Sequence, residues 1–210
     1  MPELEAYTLF EPPFALRVAT NVGVDFDEDS SFPWADWGIL YQNVRLRQGH
    51  SWTDSAGYSG RYAYNSVAVG INYHMPGYGA LEITVALTNH LNELNYSLSD
   101  NWGPSDASVD IKNDIMVPVF SAGMRPLTFA ETVLHEGVES DGEQTSTSLR
   151  PIQTNSPILL TFRTGLIREG GDFQIMVASW LRMDCHLTHM DSDTSASLLW
   201  KVDRVYVRVV

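Results

Sequence analysis

Apolar and polar residues alternate with a period of two along much of this chain. The clearest case is the last stretch, where Arg or Tyr takes every second position and Val the others: Arg204, Val205, Tyr206, Val207, Arg208 and Val209. Because side chains of a strand point to alternate faces, this pattern predicts a strand with one buried face and one face toward solvent or a partner. We expect Val202–Val210 to be an edge or partner-facing strand, since a strand-like chain end must be paired by something.

Other runs rich in β-branched and aromatic residues lie between turn residues. They are FALRVATNVGV from Phe14, GILYQNVRLR from Gly38, YNSVAVGINY from Tyr64, ALEITVALT from Ala80, DIMVPVF from Asp114, PILLTFRTGLI from Pro157, DFQIMVASWLRM from Asp172 and LLWKVDRVYVRVV from Leu198. Together they predict eight or more strands at a spacing typical of a sandwich or barrel.

Polar or glycine-rich stretches separate these runs. REGGD at Arg168–Asp172 lies between two strong apolar runs and predicts a hairpin that joins the strands around Leu160 and Val177. ESDGEQTSTS at Glu139–Ser148 is acidic and rich in Ser and Thr, and it predicts an exposed, mobile loop.

Two stretches have helical spacing. In LTFAETVLHEG, Thr128 and Glu131 have capping-box spacing, Phe129 and Val133 are four apart, and Gly137 could end the helix. In TNHLNELNYSL, which begins at position 88, leucines fall at positions 91, 94 and 98, although the asparagines lower helix propensity. We therefore expect one or two short helices at most.

This pattern predicts an all-β fold, an antiparallel β-sandwich of jelly-roll type, because a parallel α/β sheet needs a helix between most strands. Residues 1–210 form a single predicted domain. We expect the N-terminal part, about 13 residues, to be an extended arm. No internal repeat indicates a solenoid or propeller.

The charge balance excludes some partners. The formal net charge is −13 at pH 7, and no basic tract occurs. Nucleic acid binding rests on Lys and Arg that neutralise phosphates, and anionic membranes attract the same residues, so we expect neither direct nucleic acid binding nor membrane insertion. All of the basic residues except Lys112 and Lys201 are Arg, which suits bidentate contacts to carboxylates at interfaces or within the fold.

Cysteine usage indicates the compartment. Cys185 is the single cysteine, so no disulfide can form within the chain, as is usual for proteins that fold in a reducing cytoplasm. The first residues lack the basic and apolar regions of a signal peptide. No apolar run approaches the length of about 20 residues that spans a bilayer. We expect synthesis in the cytoplasm without a signal peptide.

The stretch DFDEDSSFPWAD has the acidic spacing of a calcium loop. Asp25, Asp27, Asp29 and Asp36 occupy positions 1, 3, 5 and 12 of this window. However, Ser30 replaces the glycine that the sharp turn needs, and Asp36 is shorter than the usual bidentate Glu. The alternative is a solvated acidic loop whose side chains cap the turn. We expect no cofactor, and calcium bound by this stretch is the alternative.

No other stretch predicts catalysis or metal binding. In CHLTH, Cys185 and His186 would point to opposite faces of a strand, and too few ligands are present for zinc. HExxH, GxSxG and glycine-rich phosphate loops are absent. Paired carboxylates for glycoside cleavage leave no sequence trace. We therefore expect no catalytic residues and no enzymatic activity.

Aromatic residues interleaved with polar ones are the remaining chemical feature. The candidate ligand-binding or interface residues are Trp34, Trp37, Trp52, Tyr58, Tyr62 and Tyr64, together with Arg204, Tyr206 and Arg208 of the last strand. Such aromatics pack in cores, anchor protein interfaces, or stack on sugar rings beside groups that bind hydroxyls.

Three functional hypotheses follow. The leading one is a structural, self-associating virion protein, such as a bacteriophage tail, baseplate or head-surface component, with copies of itself and other virion proteins as partners. The alternative is a carbohydrate-binding or receptor-binding module that uses aromatic loops to bind a glycan. The third is a glycoside hydrolase or cupin-like enzyme on the same fold.

Overall fold

A computed structural model describes residues 7–22, 30–48, 58–100, 106–123, 125–140, 145–149, 155, 157–188 and 190–210. These residues form twelve strands and no helix. The strands are β1 (Thr8–Phe10), β2 (Leu16–Val22), β3 (Ser30–Asp36), β4 (Ile39–Gln48), β5 (Tyr58–Met75), β6 (Leu81–Asp100), β7 (Asp106–Ser121), β8 (Leu127–Ser140), β9 (Thr145–Leu149), β10 (Pro157–Arg163), β11 (Gly171–Thr188) and β12 (Met190–Val209). Within the described ranges, no helix could cross a membrane.

The strands form two antiparallel sheets packed face to face, which confirms the predicted β-sandwich. The larger sheet has the order β10-β6-β12-β4-β3, with β1 beside β12 and β9 beside β6, and the smaller sheet has the order β2-β5-β11-β7-β8. The chain crosses between the sheets after β1, β2, β4, β5, β6, β8, β10 and β11. The jelly-roll subtype stays a prediction, with which this alternation agrees.

The core lies between the sheets and follows from the alternation in each strand. In β11, the odd-numbered side chains from Phe173 to Cys185 are buried, and in β5 the odd-numbered ones from Ala63 to Ile71 are buried against the larger sheet. Each large apolar side chain removed from water in this way contributes about 1.5–3 kcal/mol. The even-numbered side chains of both strands point outward and form part of the outer face of the smaller sheet.

A hydrogen-bonded polar network crosses this core. Gln42 of β4 donates from Nε2 to Oδ1 of Asn65 at 2.7 Å, and its Oε1 accepts from the Ser179 hydroxyl at 2.5 Å. Asn113 donates from Nδ2 to Oγ of Ser179 at 2.8 Å and accepts from the indole of Trp200 at 3.0 Å. Because the network joins both sheets and an unsatisfied buried polar group is costly, it fixes how the sheets face each other.

The last strand is central, so the prediction of an edge strand at Val202–Val210 is wrong. In this segment β12 pairs with β6 on one side, and with β1 on the other through the register of Phe10 with Val205. The predicted alternation is confirmed, because Val205 and Val207 are buried while Arg204 is exposed. The chain end is paired by its own chain.

Both predicted helices are strands. The stretch LTFAETVLHEG lies in β8, where a register shift opposite Asn113 and Asp114 inserts one extra residue. The stretch TNHLNELNYSL lies in β6, which has register shifts against β12. Phe129 and Val133 are four apart, which is also two repeats of a strand, so this spacing does not distinguish a helix from a strand.

The predicted hairpin at Arg168–Asp172 is wrong. β10 pairs with β6 in the larger sheet and β11 lies in the smaller sheet, so this segment crosses between the sheets. Its glycine serves close packing, because a Cβ at Gly170 would lie 2.4 Å from the carbonyl oxygen of Met75 and 2.7 Å from the amide nitrogen of Gly77. Gly170 therefore lies where two backbone segments approach each other closely.

The predicted mobile loop at Glu139–Ser148 is also wrong over most of its length. Glu139 and Ser140 end β8, and Thr145 to Ser148 lie in β9, which pairs with β6. Positions 141–144 lie outside the described residues. Threonine has a high β-propensity, and pairing with β6 makes this stretch a strand. Composition alone did not reveal that pairing.

A two-residue turn joins β3 to β4. Trp37 and Gly38 both have positive φ, at 48° and 86°, as a hairpin turn of this length requires when its twist matches the strands. Gly38 is also closely packed, since a Cβ there would lie 2.9 Å from the carbonyl oxygen of Val202. Trp37 is unusual at such a position, because a bulky residue at positive φ is disfavoured.

Candidate functional site

The outer face of the smaller sheet contains an open groove of about 800 Å³. Four adjacent strands contribute side chains to it: Tyr62 of β5, Arg182, Asp184 and His186 of β11, Ser108 and Asp110 of β7, and His135 and Gly137 of β8. The volume is in the range of ligand-binding pockets, and the lining combines charged and polar side chains with one exposed aromatic ring. We therefore take this groove as the candidate site.

Strand register decides which of these residues are neighbours. Tyr62 lies opposite Asp184, Asp184 lies opposite Asp110, and Asp110 lies opposite Gly137. Residues in register on adjacent strands have Cβ atoms about 4.5–5.5 Å apart, so this row runs straight across the groove. All of its side chains share the outward face because β-strand side chains alternate.

Aromatic rings form one end of the groove. The rings of Tyr62 and Tyr64 lie 6.2 Å apart with an interplanar angle of 12°, and Trp180 meets Tyr64 edge to face at 6.0 Å. Tyr64 and Trp180 are half-buried, whereas Tyr62 is 49% exposed. The packed rings hold Tyr62 in place, so that its ring is presented to solvent in a fixed orientation.

Charged residues in the groove are arranged in close pairs. Arg182 contacts Asp184 through Nε at 2.7 Å and through its terminal nitrogen at 3.2 Å, and these hydrogen bonds raise the pKa of the Arg182 guanidinium. Nε2 of His135 lies 3.0 Å from Oδ1 of Asp110. The carboxylates of the row are therefore held in position by neighbouring cations or hydrogen-bond donors.

The neighbouring row of residues in strand register also contains an ion pair. Lys112 lies between Arg182 and His135 in strand register, and its Nζ is 3.1 Å from Oδ2 of Asp114. Asp114 is buried and its other oxygen accepts from the Thr132 hydroxyl at 2.7 Å. Both oxygens of the Asp114 carboxylate therefore have partners, and the ion pair holds Lys112 on this face of the sheet.

Gly137 keeps the groove open on the β8 side. A Cβ at this position would meet no heavy atom within 4 Å. Gly137 lies directly opposite Asp110, and the absence of a side chain leaves Asp110 accessible from above. The position therefore accepts a larger residue sterically, and such a residue would fill the groove.

The sequence predicted two aromatic residues of this site, Tyr62 and Tyr64, and both lie in β5. Tyr62 lines the groove, and Tyr64 stacks against its ring. Tyr58 begins β5, but its side chain and all of Trp52 lie outside the described residues. The candidate aromatics that the structure describes therefore lie on strands or in the tight turn after β3, which gives them a rigid support.

Other predicted residues lie on the opposite side of the sandwich. Trp34 is in β3 opposite Tyr41, on the outer face of the larger sheet, and Trp37 is at the tip of the β3–β4 hairpin. They do not line the groove with Tyr62, because they belong to the hairpin of the larger sheet. The sequence order of these aromatics suggested one surface, and the fold distributes them over two.

The basic residues of the last strand contact acids of their own chain. Arg208 lies 2.6 Å from Glu82 and its guanidinium carbon lies 4.6 Å from the ring centre of Tyr7. Arg204 lies 3.1 Å from Glu11. Tyr206 meets Tyr7 edge to face, so these candidate interface residues help to hold the first strand β1 beside β12.

The candidate calcium ligands are described only in part. Asp25, Asp27 and Asp29 lie outside the described residues, and the described Asp36 forms an ion pair with Arg17 of β2. Ser30–Asp36 is an extended strand, which separates its ends by about 20 Å. Among described residues, no group of three or more His, Cys, Asp or Glu could hold a metal ion.

Sequence reasoning missed most of the groove. The outward residues Trp180, Arg182, Asp184 and His186 alternate with buried residues in β11, so the period-two pattern would have placed them on one face. Nothing in that pattern joins them to Asp110 or His135, which are distant in sequence. The prediction that Cys185 and His186 point to opposite faces is confirmed, since Cys185 is buried and His186 is exposed.

Comparisons with known proteins identify no family. No family model matches the chain, and no curated protein matches it. One solved structure to which it is similar is TmCBM61 in complex with β-1,4-galactotriose, at 8% identity and a TM-score of 0.26, over 94% of this chain and 90% of that one. Another is the enzymatically active domain of bacteriophage CBA120 tailspike protein 4, at 8% identity and a TM-score of 0.24, over 90% of this chain.

This chain spans only 19% of that tailspike chain. A third solved structure is that of infectious bursal disease virus Gx strain, at 8% identity and a TM-score of 0.17, over 94% of this chain and 43% of that one. Similarities this distant carry no argument about function, so the function is inferred from this chain's own residues.

Proposed function

We propose that this protein is a carbohydrate-binding β-sandwich module and that its ligand binds in the groove of the smaller sheet. The observation that carries the proposal is the exposed ring of Tyr62 beside paired charged groups in an open groove. The face of an aromatic ring packs on the apolar face of a sugar ring, and nearby polar groups bind the hydroxyls.

The groove favours binding over cleavage. Asp184 is engaged by Arg182, and Asp110 by His135. Glycoside cleavage needs two carboxyl groups of which one carries a proton for the leaving group. Asp184 is already in an ion pair, and Asp110 is within hydrogen-bonding distance of the His135 imidazole. We expect no release of new reducing ends when the protein is incubated with oligosaccharides that it binds.

A glycan array tests the proposal. Wild-type protein should bind a defined subset of glycans, and Tyr62→Ala should weaken that binding by about tenfold because the stacking surface is lost. Tyr78→Ala is the matched control, since Tyr78 is also exposed but does not line the groove. An array on which wild-type protein binds nothing contradicts the proposal, and so does equal loss of binding in both variants.

A second candidate function is a structural, self-associating virion component, of the tail, baseplate or head-surface class. Trp37 favours it, because this large apolar side chain is 64% exposed and lies at positive φ, where folding alone favours Gly or Asn. Residues whose backbone conformation is locally unfavourable often lie at binding sites. Exposed Trp34 and Phe32 on the larger sheet extend the apolar surface available to another copy.

Light scattering after size-exclusion chromatography tests this second candidate. Wild-type protein should form a defined oligomer, and Trp37→Asn should shift it toward the monomer, whereas Tyr78→Ala should not. A monomer at high concentration contradicts self-association. The two proposals use opposite faces, so a virion component that also binds a glycan is compatible with both.

A further inference from the structure

The charge pairing in the groove bears on which glycans fit. Arg182 and Lys112 carry permanent positive charge on this part of the sheet, and each contacts a carboxylate, Asp184 and Asp114 respectively. His135 is paired with Asp110. An acidic sugar would need a cation whose charge is not already balanced, as Arg clusters provide for phosphate or carboxylate ligands. Arg182 and Lys112 each have a carboxylate within 3.1 Å, and the imidazole of His135 lies 3.0 Å from Asp110.

The net charge of the whole chain also disfavours the binding of acidic ligands. With a formal net charge of −13, the protein repels anionic ligands at long range. A neutral ligand does not meet this repulsion. Local pairing and net charge therefore both disfavour uronic, sialylated or sulfated glycans in the groove.

Paired charges suit hydroxyl groups. A hydroxyl both donates and accepts, so adjacent hydroxyls can donate to a carboxylate and accept from its partner cation at the same time. Hydrogen bonds to charged groups are stronger than those between neutral groups. The bidentate contact with Arg182 fixes the orientation of Asp184 before any ligand arrives, which reduces the entropy lost on binding.

The length of the groove indicates more than one sugar ring. The row from Tyr62 through Asp184 and Asp110 to Gly137 crosses four strands. Adjacent strands are about 4.8 Å apart, so the row is roughly 14 Å long. A single sugar ring stacked on Tyr62 would not reach Asp110, whereas an oligosaccharide lying across the strands would.

We propose that the groove binds neutral oligosaccharides, with one ring stacked on Tyr62 and the hydroxyls of the adjoining rings bound by the Arg182–Asp184 and His135–Asp110 pairs. This inference rests on the proposed carbohydrate-binding function. It adds the ligand class and the residues that select it.

The first test compares neutral hexose oligosaccharides with oligouronates and sulfated oligosaccharides of similar length, by calorimetry and at low and high salt. We expect the neutral set to bind with little salt dependence and the acidic sets to bind at least about tenfold more weakly. Binding of acidic glycans alone overturns the ligand class and leaves the proposed carbohydrate-binding function standing. If no glycan of any class binds, the proposed function fails as well.

Two charge-neutralising variants test the selecting residues. Asp184→Asn leaves Arg182 without its carboxylate, and Asp110→Asn does the same for His135. We expect each variant to lose affinity for neutral oligosaccharides by about tenfold and to gain affinity for oligouronates. Asp172→Asn is the control, because it removes the same charge from an exposed pair with His74 that does not line the groove.

Thermal unfolding shows whether each variant is folded, and the second variant keeps the test decisive if the first one does not fold. Unchanged preference in Asp184→Asn and Asp110→Asn, or an equal change in the control, overturns the inference.

Discussion

The indole N–H of Trp200 donates a hydrogen bond to Oδ1 of Asn113 at 3.0 Å, and this bond links the two sheets inside the core. Trp200 has no exposed surface. Trp200→Phe removes the donor and leaves a buried oxygen without a partner, so we expect a loss of about 1–3 kcal/mol of unfolding free energy. Chemical denaturation measures it.

Trp34→Phe is the control for this prediction, because Trp34 is exposed and should tolerate the change. If the two variants lose similar stability, the bond between Trp200 and Asn113 does not hold the sheets as we infer.

A second prediction concerns the turn between β3 and β4. Trp37→Asn should raise the unfolding free energy by about 1 kcal/mol, because Asn tolerates positive φ better than a bulky side chain does. Trp37 is mostly exposed, so little packing is lost. Thermal and chemical unfolding of wild type and variant measure the difference. A destabilised variant would indicate that Trp37 packs in a way that outweighs its backbone conformation.

A third prediction concerns acid stability. The hydrogen bond from the Tyr7 hydroxyl, and then the contact with Arg208, lower the pKa of Glu82 below its ordinary value of 4.5. A pKa lowered by folding stabilises the protein above the ordinary pKa, and that contribution disappears as pH falls through the lower, folded value. Glu82→Gln should therefore be less stable than wild type at pH 7.

The difference between Glu82→Gln and wild type should narrow as pH falls below 4.5. Denaturation measured across the acid range follows it, with Glu131→Gln on exposed β8 as the control. A difference that stays constant down to acid pH would show that Glu82 acts through packing and not through its charge.

A fourth prediction uses the free space at Gly137. Gly137→Phe should abolish glycan binding by filling the groove, and it should leave the unfolding temperature nearly unchanged because no atom lies within 4 Å of the new Cβ. Gly165→Phe is the matched control, since Gly165 also has open space around it and does not line the groove. Full glycan binding by Gly137→Phe would place the ligand elsewhere.

The strands were largely predictable because alternation is a local property. All eight predicted runs became strands, and the alternation of Val205 and Val207 with Arg204 described the last strand correctly. The failures share one cause, which is that long-range pairing overrode local spacing. Pairing with distant strands made the two predicted helical stretches part of β6 and β8, and Gly170 marked a close approach of backbones instead of a hairpin turn.

The candidate site was less predictable. Tyr62 and Tyr64 were candidates because they are aromatic residues among polar ones. Nothing in the local sequence shows that Asp184 and Asp110 lie beside them. They meet through antiparallel register between β5, β11 and β7, which is set by hydrogen bonding along whole strands. Trp34 and Trp37, nearer to Tyr62 in sequence, lie on another surface.

The sequence by itself determined which face of each strand is buried, because burying alternate apolar side chains dominates the free energy of folding and repeats every second residue. Only the tertiary structure decided which outward faces lie side by side. Strand order and register depend on pairing between distant segments and on the polar network of the core, and they brought Tyr62, Asp184, Asp110 and Gly137 into one groove.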